Sequence, residues 1–302
     1  MDRIELLRVF CRVAECASFT RASDQLGIPR STVSLAVQEL ERKMGARLLH
    51  RTTRKVSLTQ DGIAFYERCQ GLLDEFDDVE RMFDGEHKGL TGRVRVDLPG
   101  RIGRLIVAPA LSDFLDCHPG IEVILGVTDR STDLIEEGID CVLRVGSLGD
   151  SFLVARPLGE IRFINVASPE YLARYGEPRS PDELDRHRMV RFASPNSGRV
   201  EPFEWVSKGQ VHTRAVTGGV IVNNAEMQIA ACCAGLGIIQ VPAYDVQREI
   251  ARGELIEIMP GFPAEPMPVN LLFPRRRERN PRTLAVAEWL ELLMQREIFA
   301  AK

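Results

Sequence analysis

Apolar positions at the start of the chain recur every three to four residues, the period of an amphipathic helix. Ile4, Leu7, Phe10, Cys11, Val13 and Ala14 predict a first helix that ends near Ala17. Phe19, Ala22 and Leu26 predict a second, with Ser18 placed to cap its free amides and Gly27 to end it in a left-handed conformation. Val33, Ala36, Val37, Leu40 and Met44 form the stripe of a third, which starts at once because Pro29 suits a first turn and the Ser31 hydroxyl can cap it. Two short helices meeting across Gly27-Ile28-Pro29 are the sequence form of a helix-turn-helix, and the small Ala22 lets them cross closely. The third stripe leaves Ser31, Ser34, Leu35, Gln38 and Arg42 facing outward.

Beyond Gly45 the period changes. Leu48, Leu49, Val56 and Leu58 predict the two strands of a hairpin whose tip carries Arg51, Thr52, Thr53, Arg54 and Lys55. Thr59 then caps a long helix from Gln60 to about Lys88, with Ile63, Tyr66, Cys69, Leu72 or Leu73, Phe76 and Phe83 as its stripe. A long lone amphipathic helix has no domain of its own to bury that stripe, which points to pairing with a second copy. Its acidic flank, Asp74, Glu75, Asp77, Asp78, Glu80 and Asp84, reads as a solvated face. Gly85, Gly89 and Gly92 mark a hinge. From Arg93 onward strands alternate with helices, the pattern of an α/β domain with a largely parallel sheet. Strands are expected at 94–98, 122–128, 141–145, 163–167, 189–192, 216–222, 238–241, 255–258 and 269–273. Helices are expected at 105–117, 132–137, 181–185, 225–234, 245–250 and 284–299. This is a multi-domain α/β chain: a winged helix-turn-helix over 1–58, a linker helix and hinge over 59–89, and a two-lobed domain over 90–302. Lobe I comprises 90–162 and 267–302, and lobe II comprises 163–266.

Charge sharpens this division. The 302 residues carry a formal net charge of -4. Residues 1–58 hold eleven Arg and Lys against six Asp and Glu, a net of +5, which leaves -9 for the remainder. A basic head on an acidic body is expected where one end alone approaches a polyanion such as DNA. On the outward face of the third helix, Ser31, Ser34 and Gln38 can hydrogen-bond base edges and Leu35 can meet a thymine methyl; a solvated face with one stray Leu fits the same pattern. The basic hairpin beside it has the hydroxyls and guanidiniums suited to phosphates or the minor groove.

Other chemistry is sparse. Seven cysteines lack C-x-x-C spacing, so reduced and mostly buried thiols are expected rather than a disulfide framework. Adjacent Cys232 and Cys233 point about 100° apart on a helix, among packing alanines, and do not make a nucleophile pair. The five histidines show no metal spacing, and no phosphate-binding glycine loop occurs. No catalytic residue, metal or cofactor is therefore expected, and the chain does not read as an enzyme. No apolar run is long enough to span a bilayer and Met1-Asp2-Arg3-Ile4-Glu5 is not a signal peptide, so a cytoplasmic protein with no membrane partner is expected.

The first 62 positions resemble the DNA-binding domain of the LysR-type transcriptional regulators. The matching signature runs through Phe10, Ala14, Ser18-Phe19-Thr20, Ala22-Ser23, Leu26-Gly27, Ser31, Val33-Ser34, Val37, Leu40-Glu41, Gly45, Leu48, Arg51-Thr52-Thr53-Arg54, Leu58-Thr59 and Gly62. The two-lobed remainder is similar to the family's effector domain and to periplasmic type 2 binding proteins. What the resemblance implies is double-stranded DNA bound at an interrupted palindrome through Thr20, Arg30, Ser31, Thr32, Ser34, Leu35, Gln38, Arg51, Thr52, Thr53 and Arg54. It also implies antiparallel pairing of linker helices, a homodimer or homotetramer, contact with RNA polymerase, and a small-molecule effector between the lobes. Leu35 departs from the polar or basic residue, and Pro29 from the serine, that many members carry there. The alternative is a cytoplasmic small-molecule sensor whose head does not read sequence.

Effector residues are proposed from strand ends, where open α/β sheets bind ligands. The free amides of Pro99-Gly100-Arg101-Ile102-Gly103 can hold an anion and Arg101 can add charge, although the Ser or Thr of many members is missing there. Thr128 ends one strand, Arg144-Val145-Gly146 another in an Asp140-x-x-x-Arg144-x-Gly146 pattern, and Asn223-Asn224 one in the second lobe. Gly100, Arg101, Thr128, Arg144, Gly146, Asn223 and Asn224 are the candidate effector contacts. Caps or lobe-packing roles are open for each.

Overall fold

The computed structural model describes residues 1–51, 56–81, 89–127, 138–146, 153–195, 197–275, 277–278 and 280–300; for 51, 67, 74, 75 and 77–81 the backbone alone is described. Two compact units result, one of residues 1–93 and one built mainly from the described residues that follow.

In the N-terminal unit three helices are followed by a hairpin and a long helix: α1 (Arg3–Cys16), α2 (Phe19–Leu26), α3 (Arg30–Met44), β1 (Leu49–Arg51), β2 (Val56–Leu58) and α4 (Gln60–Arg81). Asp2 and Glu5 start α1 with a reciprocal capping box, the Asp2 carboxylate accepting from the Glu5 amide at 2.7 Å. Ser18 caps α2 by accepting from the Arg21 amide at 3.3 Å, and Gly27 ends it with φ 65°. For α3 the expected Ser31 cap is absent: Pro29 takes the cap position, and its carbonyl accepts from the Thr32 and Val33 amides at 2.9 and 3.1 Å. Leu6, Val9, Phe10 and Val13 of α1 pack with Ala22, Val33, Val37 and Leu40 as one core. Met44 does not join them and stands exposed, because the last turn of α3 runs past the core.

On α4 the stripe splits. Phe65, Tyr66, Cys69 and Leu73 pack on the head core, so part of the face expected to lack a partner finds one in its own domain. Ile63, Leu72 and Phe76 stay exposed, with the Arg8 guanidinium 5.8 Å from the Phe76 ring centroid. The Thr59 hydroxyl accepts from the Gly62 amide at 2.9 Å and so caps α4 as expected. The acidic flank, residues 82–88 with Phe83 and Gly85, and the hairpin tip fall outside the described residues or side chains.

The C-terminal unit continues with β3 (Gly92–Asp97), α5 (Gly100–Ile102), α6 (Ala108–Cys117), β4 (Ile121–Gly126), β5 (Cys141–Val145), β6 (Val154–Ile161), β7 (Phe163–Ala167), α7 (Pro169–Tyr175) and β8 (Val190–Phe192). It ends with β9 (Phe203–Ser207), β10 (Gln210–Arg214), β11 (Val220–Val222), α8 (Ala225–Cys233), β12 (Ile239–Pro242), α9 (Gln247–Ala251), β13 (Ile256–Ile258), β14 (Met267–Phe273) and α10 (Pro281–Met294). A π-helical turn, Gly103–Val107, joins α5 to α6, and another, Gln295–Phe299, follows α10.

A five-stranded sheet has the order β4-β3-β5-β14-β6, and a three-stranded one the order β12-β7-β13. The expectation of a largely parallel sheet is corrected: β3 pairs parallel with β5, but β14 returns from the second sheet to lie antiparallel to both β5 and β6. Around β7, both β12 and β13 run antiparallel. Strand β6, helix α7 and the β9–β10 hairpin had no counterpart in the sequence reading, and the helix expected at 132–137 lies outside the described residues.

Candidate functional site

Two layers of the head hold α3. The Arg21 guanidinium donates to the Cys16 carbonyl and the Cys16 thiol donates to Gln25 Oε1 at 3.3 Å, which fixes α2 against the end of α1. Ala22, fully buried, is where α2 meets the core. Behind α3, the Glu41 carboxylate accepts from the amides of both Leu48 and Leu49, at 2.9 and 3.1 Å, and so ties the helix to the first strand of the hairpin. Helix period alone did not assign that role to Glu41, since its partners lie in a different element.

With its back fixed, α3 presents Arg30, Ser31, Leu35, Gln38 and Arg42 to solvent, with Thr32 and Ser34 half-buried. Leu35 is 64% exposed, more than any other large apolar side chain among the described residues of the head. Thr20 is exposed at the start of α2. The hairpin pairs Leu49 with Leu58, His50 with Ser57 and Arg51 with Val56, which puts Arg51 at the distal end of β1. Thr52, Thr53, Arg54 and Lys55 lie outside the described residues. The described part is a polar helix face with one exposed leucine, beside a hairpin with a basic strand end. That combination suits the major groove, where amides and hydroxyls read base edges and an aliphatic side chain reads a thymine methyl.

The candidate effector residues divide by element. Gly100 and Arg101 open α5 at the end of β3, and a Cβ on Gly100 would stand 3.2 Å from the Val127 side chain. Arg101 is not the free cation the sequence suggested. At 6% exposure, it hydrogen-bonds Glu226 at 2.7 Å and Asp245 at 3.3 Å, lies 3.8 Å from Glu249, and also donates to the Asp245 carbonyl. Glu226 is bridged in turn by Arg104 at 2.6 Å. Burial works against the Arg101 charge, but Asp245 and Glu226 outweigh it and hold the guanidinium more firmly protonated than usual. Burial pushes the Asp245 carboxyl up to about 7, with Arg101 opposing it. Arg101 therefore connects the end of β3, in the five-stranded sheet, to residues that follow β11 and β12; its charge is spent within the protein.

Arg144 lies on β5 opposite Asn270 of β14. Gly146 has φ 102° and donates to the Pro268 carbonyl at 2.8 Å. Asn224 is the N-cap of α8, accepting from the Met227 amide at 3.2 Å, while Asn223 is exposed beside it. Thr128 lies outside the described residues. Asp140, of the Asp140/Arg144/Gly146 pattern, is buried with Arg277 at 3.0 Å and accepts from the Arg95 amide, a packing arrangement. The Cys232 thiol is buried and faces the Val166 carbonyl at 3.6 Å, and burial raises it to about 12, which suits an inert thiol. A cavity of about 170 Å³ near β8, β9 and α8 is lined by Phe163, Phe192, Glu201, Glu204, Gln228 and Gln240, none of them anticipated from strand ends.

Residues 4–63 match the bacterial regulatory helix-turn-helix domain of the lysR family, and residues 87–295 match the LysR substrate binding domain. The chain is 40% identical over 297 residues to the Escherichia coli K12 HTH-type transcriptional regulator YhjC, covering 98% of this chain and 99% of that protein. It is 37% identical to an HTH-type transcriptional repressor of Pseudomonas aeruginosa, covering 96% of this chain and 92% of the repressor. Among solved structures it is similar to CrgA, a LysR-type transcriptional regulator from Neisseria meningitidis, with TM-score 0.60 and 32% identity over 97% of this chain and 98% of that one.

Proposed function

We infer the action of this chain from its family: it belongs to the LysR-type transcriptional regulators, DNA-binding proteins with a helix-turn-helix domain and an effector-binding domain. Residues 1–58 serve as the reading head, 59–89 as linker and hinge, and 90–302 as the effector domain. Ser31, Thr32, Ser34, Leu35 and Gln38 read base edges. Thr20, Arg30 and the hairpin residues Arg51, Thr52, Thr53 and Arg54 hold phosphates or enter the minor groove. Two heads on paired linker helices bind an interrupted palindrome, and two such dimers form the working tetramer in the cytoplasm. RNA polymerase is recruited or blocked from there, and no catalytic turnover is involved.

The observation that carries this reading is the face of α3, where a leucine at 64% exposure stands among Ser31, Ser34 and Gln38. In water that leucine gains nothing, whereas against a thymine methyl it contributes to recognition.

A small molecule in the cleft beside Gly100, Thr128, Arg144, Gly146, Asn223 and Asn224 shifts the balance between assembly shapes. Its differential affinity for the two shapes sets the switch, at about 1.4 kcal/mol per tenfold change. Arg101 takes part by holding the lobes together rather than by offering a free charge. The test is a footprint of the full-length protein on DNA flanking its own gene. Two protected half-sites separated by an unprotected spacer are expected. No protection at low salt from a folded preparation would instead favour the sensor without sequence-specific binding.

A further inference from the structure

Phe203 of β9 is fully buried in a core with Tyr171, Leu184 and Ile238. Side chains alternate along a strand, so its neighbours Pro202 and Glu204 face the other way, and both line the cavity of about 170 Å³ that Phe163 and Phe192 also wall. Glu201 lines it as well. Backbone contacts fix both acids in place. The Glu201 amide donates to the Phe192 carbonyl at 2.8 Å. Gln240 grips the backbone of Glu204 at two points: its Oε1 accepts from the Glu204 amide at 3.2 Å, and its Nε2 donates to the Glu204 carbonyl at 2.7 Å and to Asn165 Oδ1 at 2.8 Å.

No arginine, lysine or histidine lines this cavity among the described residues. Glu201, exposed at its rim, and Glu204, half-buried, enter no ion pair among those residues; the Glu204 Oε1 accepts from the Glu265 amide at 3.1 Å. Gln228, at 5% exposure, adds a third acceptor to the wall. Its Nε2 must be the atom that faces the Val190 carbonyl, 3.2 Å away, because a carbonyl oxygen accepts and never donates. The Gln228 Oε1 then has no donor among the described residues and is left for whatever fills the cavity. Buried polar groups are normally paired. What this wall lacks is a cation that brings donors, and we propose that the cavity binds a small primary amine in its ammonium form.

Number, charge and size agree on that class. An ammonium carries three donors, and the Glu201 carboxylate, the Glu204 carboxylate and the Gln228 carbonyl offer three acceptors. The rings of Phe163 and Phe192 suit a cation or the apolar body attached to it, and Met189 and Met267 adapt to its shape. An engineered cavity of about 150 Å³ takes a benzene ring, so a body of one ring fits here. A metal ion is the poorer occupant, since it asks for a cage of oxygens where these side chains present rings and thioethers. An anion would meet two carboxylates and no cation. The proposal deepens the effector reading and rests on it for any consequence at DNA, while the binding itself is measured without DNA.

The experiment titrates the full-length protein by calorimetry with benzylammonium, benzyl alcohol and benzoate, which share one ring and differ in charge, and with calcium chloride in parallel. Benzylammonium should bind about tenfold or more tightly than benzyl alcohol, the scale of a charge-assisted hydrogen bond, and benzoate should not bind. Glu204→Gln and Glu201→Gln keep the shape of the wall, and each should weaken benzylammonium by about tenfold while leaving benzyl alcohol unchanged. The wild-type series decides the matter even where a variant folds poorly. Benzoate binding as tightly as benzylammonium, calcium binding where benzylammonium does not, no heat from benzylammonium at millimolar concentration, or an affinity for it untouched by both substitutions would each overturn the proposal. None of these results alters the footprint expected on DNA, so a failure here and a failure of the regulator reading are told apart.

Discussion

Replacing Arg101 by alanine should destabilise the C-terminal unit by about 3–5 kcal/mol, the usual cost of stripping one partner from a buried ion pair. The substitution leaves Asp245, at 3% exposure, and Glu226 and Glu249 facing one another without the guanidinium between them. Lysine at 101 should recover only part of the loss, since an ammonium cannot fork between Glu226 and Asp245. Adding Asp245→Asn to the alanine variant should restore stability, because the repulsion and the buried charge both fall. Both tryptophans, Trp205 and Trp289, lie in this unit, so their fluorescence through a urea titration reports it and not the head. A midpoint for R101A that matches wild type would mean that the network does not brace the two sheets.

Gly62→Ala should be the most damaging single methyl in the head. A Cβ there would stand 1.9 Å from the Leu48 carbonyl oxygen, a backbone atom that cannot swing away, and 3.1 Å from the Thr59 hydroxyl oxygen. The start of α4 must move off β1, which breaks the Thr59 cap and the seat of the hairpin together. A loss of roughly 3 kcal/mol or more is expected, at the upper end for overpacking, with DNA affinity falling alongside it. Gly89→Ala, where a Cβ meets only open space, is the control and should change neither property. Circular dichroism melts of the full chain check the first point and gel shifts the second. Wild-type affinity in G62A would show that the hairpin's seat does not matter to binding.

These two sites differ in how far they could be read from sequence. Gly62 falls in the ordered signature of the head, and the head as a whole follows local rules: a Ser18 cap, a left-handed Gly27, and stripes at the helical period. Local rules also located most strands of the C-terminal unit. Where they failed, the cause was a non-local partner or disguised punctuation. Arg101 meets residues 125 and 144 positions away, so its apparent free charge could not be recognised as spent. Strand β6 is interrupted by Pro157 and Gly159, and Gly159 is there because the Phe299 ring sits 3.0 Å from where its Cβ would be. The β9–β10 hairpin turns through Lys208 and Gly209, both with positive φ, and Lys-Gly is a weaker turn signal than Asn-Gly. On α4 the period was correct, but period alone does not say which side meets the head and which is left for a second copy.

The central claim is a division of labour: the face of α3 chooses the sequence and the hairpin supplies charge. It is tested most directly by measuring affinity for the footprinted operator and for random duplex across a salt series, with wild type, Gln38→Ala and Arg54→Ala side by side. Gln38→Ala should lose operator affinity by about 1–3 kcal/mol and keep its affinity for random DNA. Arg54→Ala should weaken binding to both duplexes alike, with a salt slope shallower by about 1. Equal losses on operator and random DNA for both variants would contradict the account.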